Sequence, residues 1–87
     1  MTREEIFKKL DEVFEEVFDD ESIHVNDGTT ADDIEDWDSL EHINLVVAIE
    51  NAFGIKFNMN EVTSFKNVGE MVDIILERIW IVTHLKN

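Results

Sequence analysis

Ser39 is where chemistry in this chain could begin. The run Trp37-Asp38-Ser39-Leu40 puts a hydroxyl at the first position of an apolar stretch that reads as a helix from Ser39 to Phe53. Asp38 is its predicted N-cap, and Glu41, three residues later, completes an Asp-x-x-Glu capping box. A hydroxyl on so well-defined a helix start is a good point of attachment. It is a poor nucleophile alone, because a catalytic serine needs a positioned base and an oxyanion hole. Asp38 points around the helix rather than at the hydroxyl, and no glycine elbow precedes it. The residue types favour a tether over hydrolysis. His42 lies three residues on, on the same helix face, and could meet a phosphate carried by that serine.

Metal chemistry finds little support. There is no cysteine, so thiolate sites and disulfides are excluded, and His24, His42 and His84 are too far apart for a zinc spacing. An EF-hand with Gly28 at its sixth position would place Ile23, Val25 and Ile34 where side-chain oxygens are required. What remains is a weak, adventitious cation site among Asp32, Asp33, Glu35, Asp36 and Asp38.

The elements that must position Ser39 are helical. Residues 3 to about 19 carry Ile6, Leu10, Val13, Phe14, Val17 and Phe18 on one stripe, with acids opposite and a Thr2–Glu5 capping box in front. The central helix carries Leu40, Ile43, Val46, Val47, Ala48, Ile49 and Phe53 at three- and four-residue spacing and stops at Gly54. Asn58 or Asn60 caps a brief third helix near 60–65. Asn67, with Glu70 three positions on, caps the last, which runs from Val68 to about Thr83 with Met71, Val72, Ile75, Ile79 and Val82 inside. Between the first two helices stand about 18 residues of turn chemistry, a length usually kept for function. Ile23, Val25, Ile34 and Trp37 are its expected pins, and Gly28 is placed to take a positive φ. The expected fold is all-α, with a long loop between helices 1 and 2 and a short third helix.

Eighty-seven residues make one domain, 1–87, which should bury about 60–65% of the surface its unfolded chain exposes. A net charge of −14 argues against nucleic acid and anionic membranes. No base stands between Leu10 and Ile55, and 15 of the 21 acids do. That field suits partners with basic patches, met on the exposed side chains of the central helix, Glu41, Asn44, Val47, Glu50 and Asn51. No signal-peptide pattern opens the chain and no apolar run is long enough to span a membrane, so a soluble, cytoplasmic protein is expected. Ile74, Trp80, Ile81 and Leu85 put apolar surface on the outer side of the last helix. They suggest either a docking or dimer contact on an otherwise monomeric protein, or extended packing on the first helix.

Asp38-Ser39-Leu40 opening Glu41-His42-Ile43-Asn44-Leu45-Val46-Val47-Ala48-Ile49-Glu50 resembles the signature of acyl carrier proteins. The similarity continues through Phe53-Gly54-Ile55-Lys56-Phe57 and Phe65-Lys66-Asn67-Val68-Gly69-Glu70-Met71. The resemblance implies a four-helix bundle of acyl-carrier type that is not itself an enzyme. It implies that Ser39, flanked by Asp38 and Leu40, carries a covalent 4′-phosphopantetheine whose thiol holds acyl groups. The family's phosphopantetheinyl transferase would install it, with Asp38 helping to bind magnesium, and a phosphodiester there would suit a helix N-terminus. Further implied partners are an acyl-activating ligase or acyltransferase, and ketosynthase-type or acyl-modifying enzymes with basic docking patches. By position, Leu40, Glu41, Val47 and Glu50 would face partners, and Phe57, Val62 and Phe65 would border an acyl cleft. Trp37 stands where the family often has a glycine-containing turn, Asn44 and Asn51 where fatty-acid carriers show acids, and Val47 where they often have methionine. These departures point to a specialised lipid or polyketide-type pathway. An aminoacyl, D-alanyl or peptidyl carrier with the same arm is the alternative, and an unmodified interaction module a third.

Overall fold

Side-chain caps set where the helices begin. The computed structural model describes residues 1–84. Thr2 Oγ1 accepts from the Glu5 amide at 3.1 Å, and the Thr2 amide donates to Glu5 Oε1 at 2.7 Å, which forms the predicted box at the start of α1, Arg3–Phe18. Asp38 Oδ1 accepts from the Glu41 amide at 2.8 Å and starts α2, Ser39–Phe53. Only half of the expected box forms there, because the Asp38 amide donates instead to the Asp36 carbonyl at 3.0 Å. Asn58 makes a full box with Glu61 ahead of α3, Met59–Ser64. Asn67 Oδ1 accepts from the Glu70 amide at 2.9 Å at the start of α4, Val68–His84. At the other ends, Gly54 closes α2 with φ +67°, as predicted, and Asp19 closes α1 with φ 51°.

The helices pack through the stripes the spacing marks, with one correction. Ile6, Leu10 and Phe14 of α1 are fully buried against Leu45 and Ile49 of α2 and Val68, Met71, Val72 and Ile75 of α4. Each such aliphatic contributes about 1.5–3 kcal/mol through removal from water. Leu45 is absent from the predicted stripe of α2, whereas Leu40, Ile43 and Val47 are 70%, 50% and 49% exposed. Apolar residues recur on nearly every side of α2, so spacing alone does not choose its buried face. On α4, Val82 is exposed and Ile79 only partly buried. Trp80 lies outside the core and stacks on the His84 ring at 4.1 Å, while Leu85 falls outside the described residues.

The long α1–α2 connection is fixed by groups that helix α4 would otherwise leave unpaired. The Val68 amide donates to the Thr29 carbonyl at 2.8 Å and the Gly69 amide to the Asp27 carbonyl at 3.1 Å. With Asn67 on Glu70, the first three amides of α4 all have acceptors. Gly28 does not take the predicted positive φ; its amide donates to Asn26 Oδ1 at 2.9 Å in a turn that L-residues can adopt. The glycine this junction needs is Gly69, where a Cβ would stand 2.8 Å from the Asp27 carbonyl oxygen. Arg3 spans the same place, with ion pairs to Asp27 and to Asp73. A short 3-10 turn, Ala31–Asp33, follows before Trp37 packs on the core.

Gly69→Ala should therefore cost about 1–3 kcal/mol, lowering Tm by roughly 4–8 °C per kcal/mol, as thermal unfolding by circular dichroism would measure. The Thr2–Glu5 box adds a pH dependence. The Thr2 amide, and then its hydroxyl, hold the Glu5 carboxyl below the ordinary glutamate range. That contribution is present above the ordinary value and is lost as pH falls through the depressed one. Glu5→Ala should melt below the parent near neutral pH, and the gap should close in acid.

Candidate functional site

Ser39 stands exposed at the first position of α2, and its hydroxyl makes no hydrogen bond among the described residues. Asp38 supplies two acceptors to the first turn, its carboxylate to the Glu41 amide and its carbonyl to the His42 amide at 2.9 Å. Among the described residues the amides of Ser39 and Leu40 have no acceptor, the usual condition of a helix N-terminus. These donors and the positive end of the helix dipole suit an anionic group on the hydroxyl. Glu35, Asp36 and Asp38 are all exposed on the approach to Ser39. No base is hydrogen-bonded to the serine, so the arrangement holds a hydroxyl out for modification rather than activating it.

Beside Ser39 lies an open cleft of about 520 Å³ between α2 and α3, lined by Trp37, Ser39, His42, Ile43, Val62 and Phe65, with Lys66 and Asn67 at its edge. Of the residues expected to border an acyl cleft, Val62 and Phe65 line it. Phe57 does not; it backs Phe65 edge-to-face, with ring centroids 5.5 Å apart. Lys66, one of only seven bases, was not anticipated here, because nothing in a lone lysine after an aromatic residue signals a cleft. A larger hollow of about 620 Å³ lies under the α1–α2 connection, where Phe18, Ile23 and Ile34 stand among polar loop residues, and Ser39 is not part of it.

His42 is already occupied, contrary to the expectation that it meets a phosphate. The indole Nε1–H of Trp37 donates to His42 Nδ1 at 3.0 Å, and His42 Nε2 lies 2.8 Å from the Val62 carbonyl. An indole only donates and a carbonyl only accepts, so Nδ1 is the ring's acceptor and Nε2 its donor. Glu50 is likewise turned inward. It is half-buried, and its Oε2 accepts from the Phe57 amide at 2.8 Å, holding the α2–α3 link rather than standing free as a docking acid. Glu41 is half-buried, while Leu40, Ile43, Val47 and Met59 present apolar surface along α2 and α3. The α3 helix is held from its far side by a two-pronged ion pair, Arg78 Nη1 and Nη2 to Glu61 Oε1 and Oε2 at 2.9 and 2.5 Å. Among the described residues no group of three or more His, Asp or Glu could hold a metal ion. No helix among those residues is long and apolar enough to cross a membrane.

Comparison with known proteins agrees with this geometry. Residues 8–75 match the family model described as a phosphopantetheine attachment site. The chain is 32% identical over 80 residues to an acyl carrier protein of Petrotoga mobilis, an alignment covering 91% of this chain and 93% of that one. It is 36% identical over 75 residues to one of Acidothermus cellulolyticus, covering 86% and 89% respectively. The solution structure of the holo acyl carrier protein from Geobacter metallireducens superimposes with a TM-score of 0.85 at 37% identity over 93% of each chain. The chain thus belongs to the acyl carrier proteins, helical carriers that bear a covalent phosphopantetheine and are served by a phosphopantetheinyl transferase and acyl-handling enzymes.

Proposed function

We propose that Ser39 is the hydroxyl that carries the 4′-phosphopantetheine and that the chain, as one domain, serves a specialised lipid or polyketide-type pathway. The observation that carries the first part is the exposed, unbonded hydroxyl on a capped helix start, beside two unpaired amides and at the edge of an apolar cleft. The group, once attached, supplies a thiol that holds acyl chains as thioesters. The protein's own residues hold and present it. Asp38 fixes the helix start and puts a carboxylate on the residue before Ser39, the free Ser39 and Leu40 amides would hold the phosphodiester, and Lys66 adds a positive charge at the cleft.

The pathway reading is supported by the face beside the site. Asn44 and Asn51 make it less acidic than a fatty-acid carrier's, and Val47 gives it a smaller apolar contact. Leu40 and Val47 suit contact with a partner enzyme, and Glu41 and Glu50 lie close to them in the same helix while serving internal bonds as well. Glu35, Asp36 and Asp38 would steer basic partners toward Ser39. Encounter of this kind weakens as salt is added.

Incubation of the apo protein with coenzyme A, magnesium and a broad-specificity transferase should raise its intact mass by one phosphopantetheine. Ser39→Ala should abolish the shift, and a shift that persists in that variant would overturn the assignment. Asp38→Ala should lose about 1 kcal/mol through the missing cap, whereas Asp38→Ser, which keeps a capping oxygen, should melt near the parent yet be modified more slowly. Raising ionic strength should lower the modification rate of the parent. Offering ligases fatty acids, small dicarboxylates and amino acids to the holo protein would then identify the cargo class by mass.

A further inference from the structure

Two side chains of opposite charge line the cleft beside Ser39, the Asp38 carboxylate and the Lys66 ammonium. They are differently employed. Asp38 caps α2 through the Glu41 amide, whereas Lys66 is exposed and its ammonium enters no ion pair among the described residues. Other bases are already engaged by the fold: Arg3 pairs with Asp27 and Asp73, Arg78 grips Glu61, and Lys9 lies over the Phe53 ring. The backbone that carries Lys66 is well held. Its amide donates to Glu70 Oε1 at 3.1 Å, the Phe65 ring before it packs on Phe57, and two residues on the Val68 amide is bonded to the Thr29 carbonyl. A long, flexible stem thus projects its charge from a fixed point on the cleft that holds Ser39. The chain leading into Ser39 is of the opposite character. Glu35 and Asp36 are exposed there and border the other hollow, together with Asp20 and Asp33.

We infer that Lys66 is the counter-charge to the phosphodiester on Ser39, and that it sets the direction in which the arm leaves, along the α2–α3 cleft rather than over the acidic connection. The inference rests on Ser39 bearing the arm. Modification adds an anion to a chain of net charge −14, on the residue after Asp38. The helix dipole and the free amides of Ser39 and Leu40 favour that anion, but they act along the helix axis and do not choose a side. Lys66 does choose. Attraction on the cleft side and like-charge repulsion from Glu35 and Asp36 both turn the phosphodiester toward α3. A lysine suits the task because its ammonium is a mobile point charge that can follow a phosphate without fixing its orientation. Lys66 is a positioning residue: it meets the phosphate at the root of the arm, not the thiol at its end.

The test compares apo and holo protein, modification being verified by intact mass, for the parent and for Lys66→Gln and Lys66→Arg. In the holo parent at low salt, pantetheine protons should show NOEs to the methyls of Ile43 and Val62, and the Lys66 ε-methylene signals should shift on modification. In Lys66→Gln those NOEs should weaken, and the change in Tm on modification should fall below the parent's by about 1–5 °C. Lys66→Arg should restore both. Raising the salt should bring the phosphorus resonance and the NOEs of the parent toward those of Lys66→Gln. The apo variants should melt with the apo parent, because the Lys66 side chain holds nothing in the fold. Equal NOEs and equal Tm changes in the parent and Lys66→Gln would overturn the inference while leaving the Ser39 assignment intact. An apo Lys66→Gln that melts lower by as much as the holo form would do the same, since the role would then be structural. A parent that gains no mass, or a Ser39→Ala variant that does, would sink the assignment itself.

Discussion

The need of the first amides of α4 for acceptors is the constraint on which the rest of the arrangement depends. A helix N-terminus buried against the α1–α2 connection must find acceptors for its first donors. The carbonyls of Thr29 and Asp27 supply two, and Asn67 a third. Because main-chain atoms meet main-chain atoms there, the connection has little freedom to slide. Gly69 is what permits the approach, and Arg3, which reaches from α1 to Asp27 and Asp73, adds exposed ion pairs of modest individual worth, roughly 0–1 kcal/mol. With residues 27–29 fixed at one end and Trp37 seated on Phe14 at the other, Ser39 has one place to be.

How much of this could be read beforehand follows from the range of the interactions. Caps and stripes are local: Thr2 with Glu5, Asp38 with Glu41 and the spacing of Ile6, Leu10 and Phe14 lie within a few residues, and they place the helices to within a residue or two. The candidate site was legible for the same reason, since Asp38-Ser39-Leu40, now proposed as the attachment point, is a contiguous run on a helix start. The face of α2 was not, because a helix apolar on most sides hides its orientation until its neighbours are known. Asp27 with Gly69, Arg3 with Asp73 and His42 with Val62 join residues tens of positions apart, and no pattern of spacing encodes them. Gly28 shows the opposite error: a turn-forming composition suggested a positive φ that the Asn26 side chain makes unnecessary.

Helix α3 has six residues, too short to be stable by itself. It is held by its flanks: Arg78 grips Glu61 from α4, His42 accepts Trp37 and donates to Val62 from α2, and Glu50 fixes the link before it through Phe57. All of these holds are polar and each is directional. An apolar contact would let α3 drift outward by small steps, whereas a hydrogen bond weakens steeply once its geometry is lost. Together those bonds set where α3 stands beside α2.

How firmly α3 is held bears on how a carrier divides labour with its enzymes. A scaffold that yields to its cargo hides the cargo from partners until they draw it out. One that holds its shape leaves the thioester at the surface, where the partner's own pocket must supply the apolar cover. The latter arrangement asks for partners that engage quickly and release easily. The surface around Ser39 has the parts for it: exposed acids for long-range attraction and a narrow apolar strip at Leu40, Ile43 and Val47 for contact. A complex drawn mainly from screened charge and little apolar area would form fast without lasting long, which is what passing one tethered group among several enzymes requires.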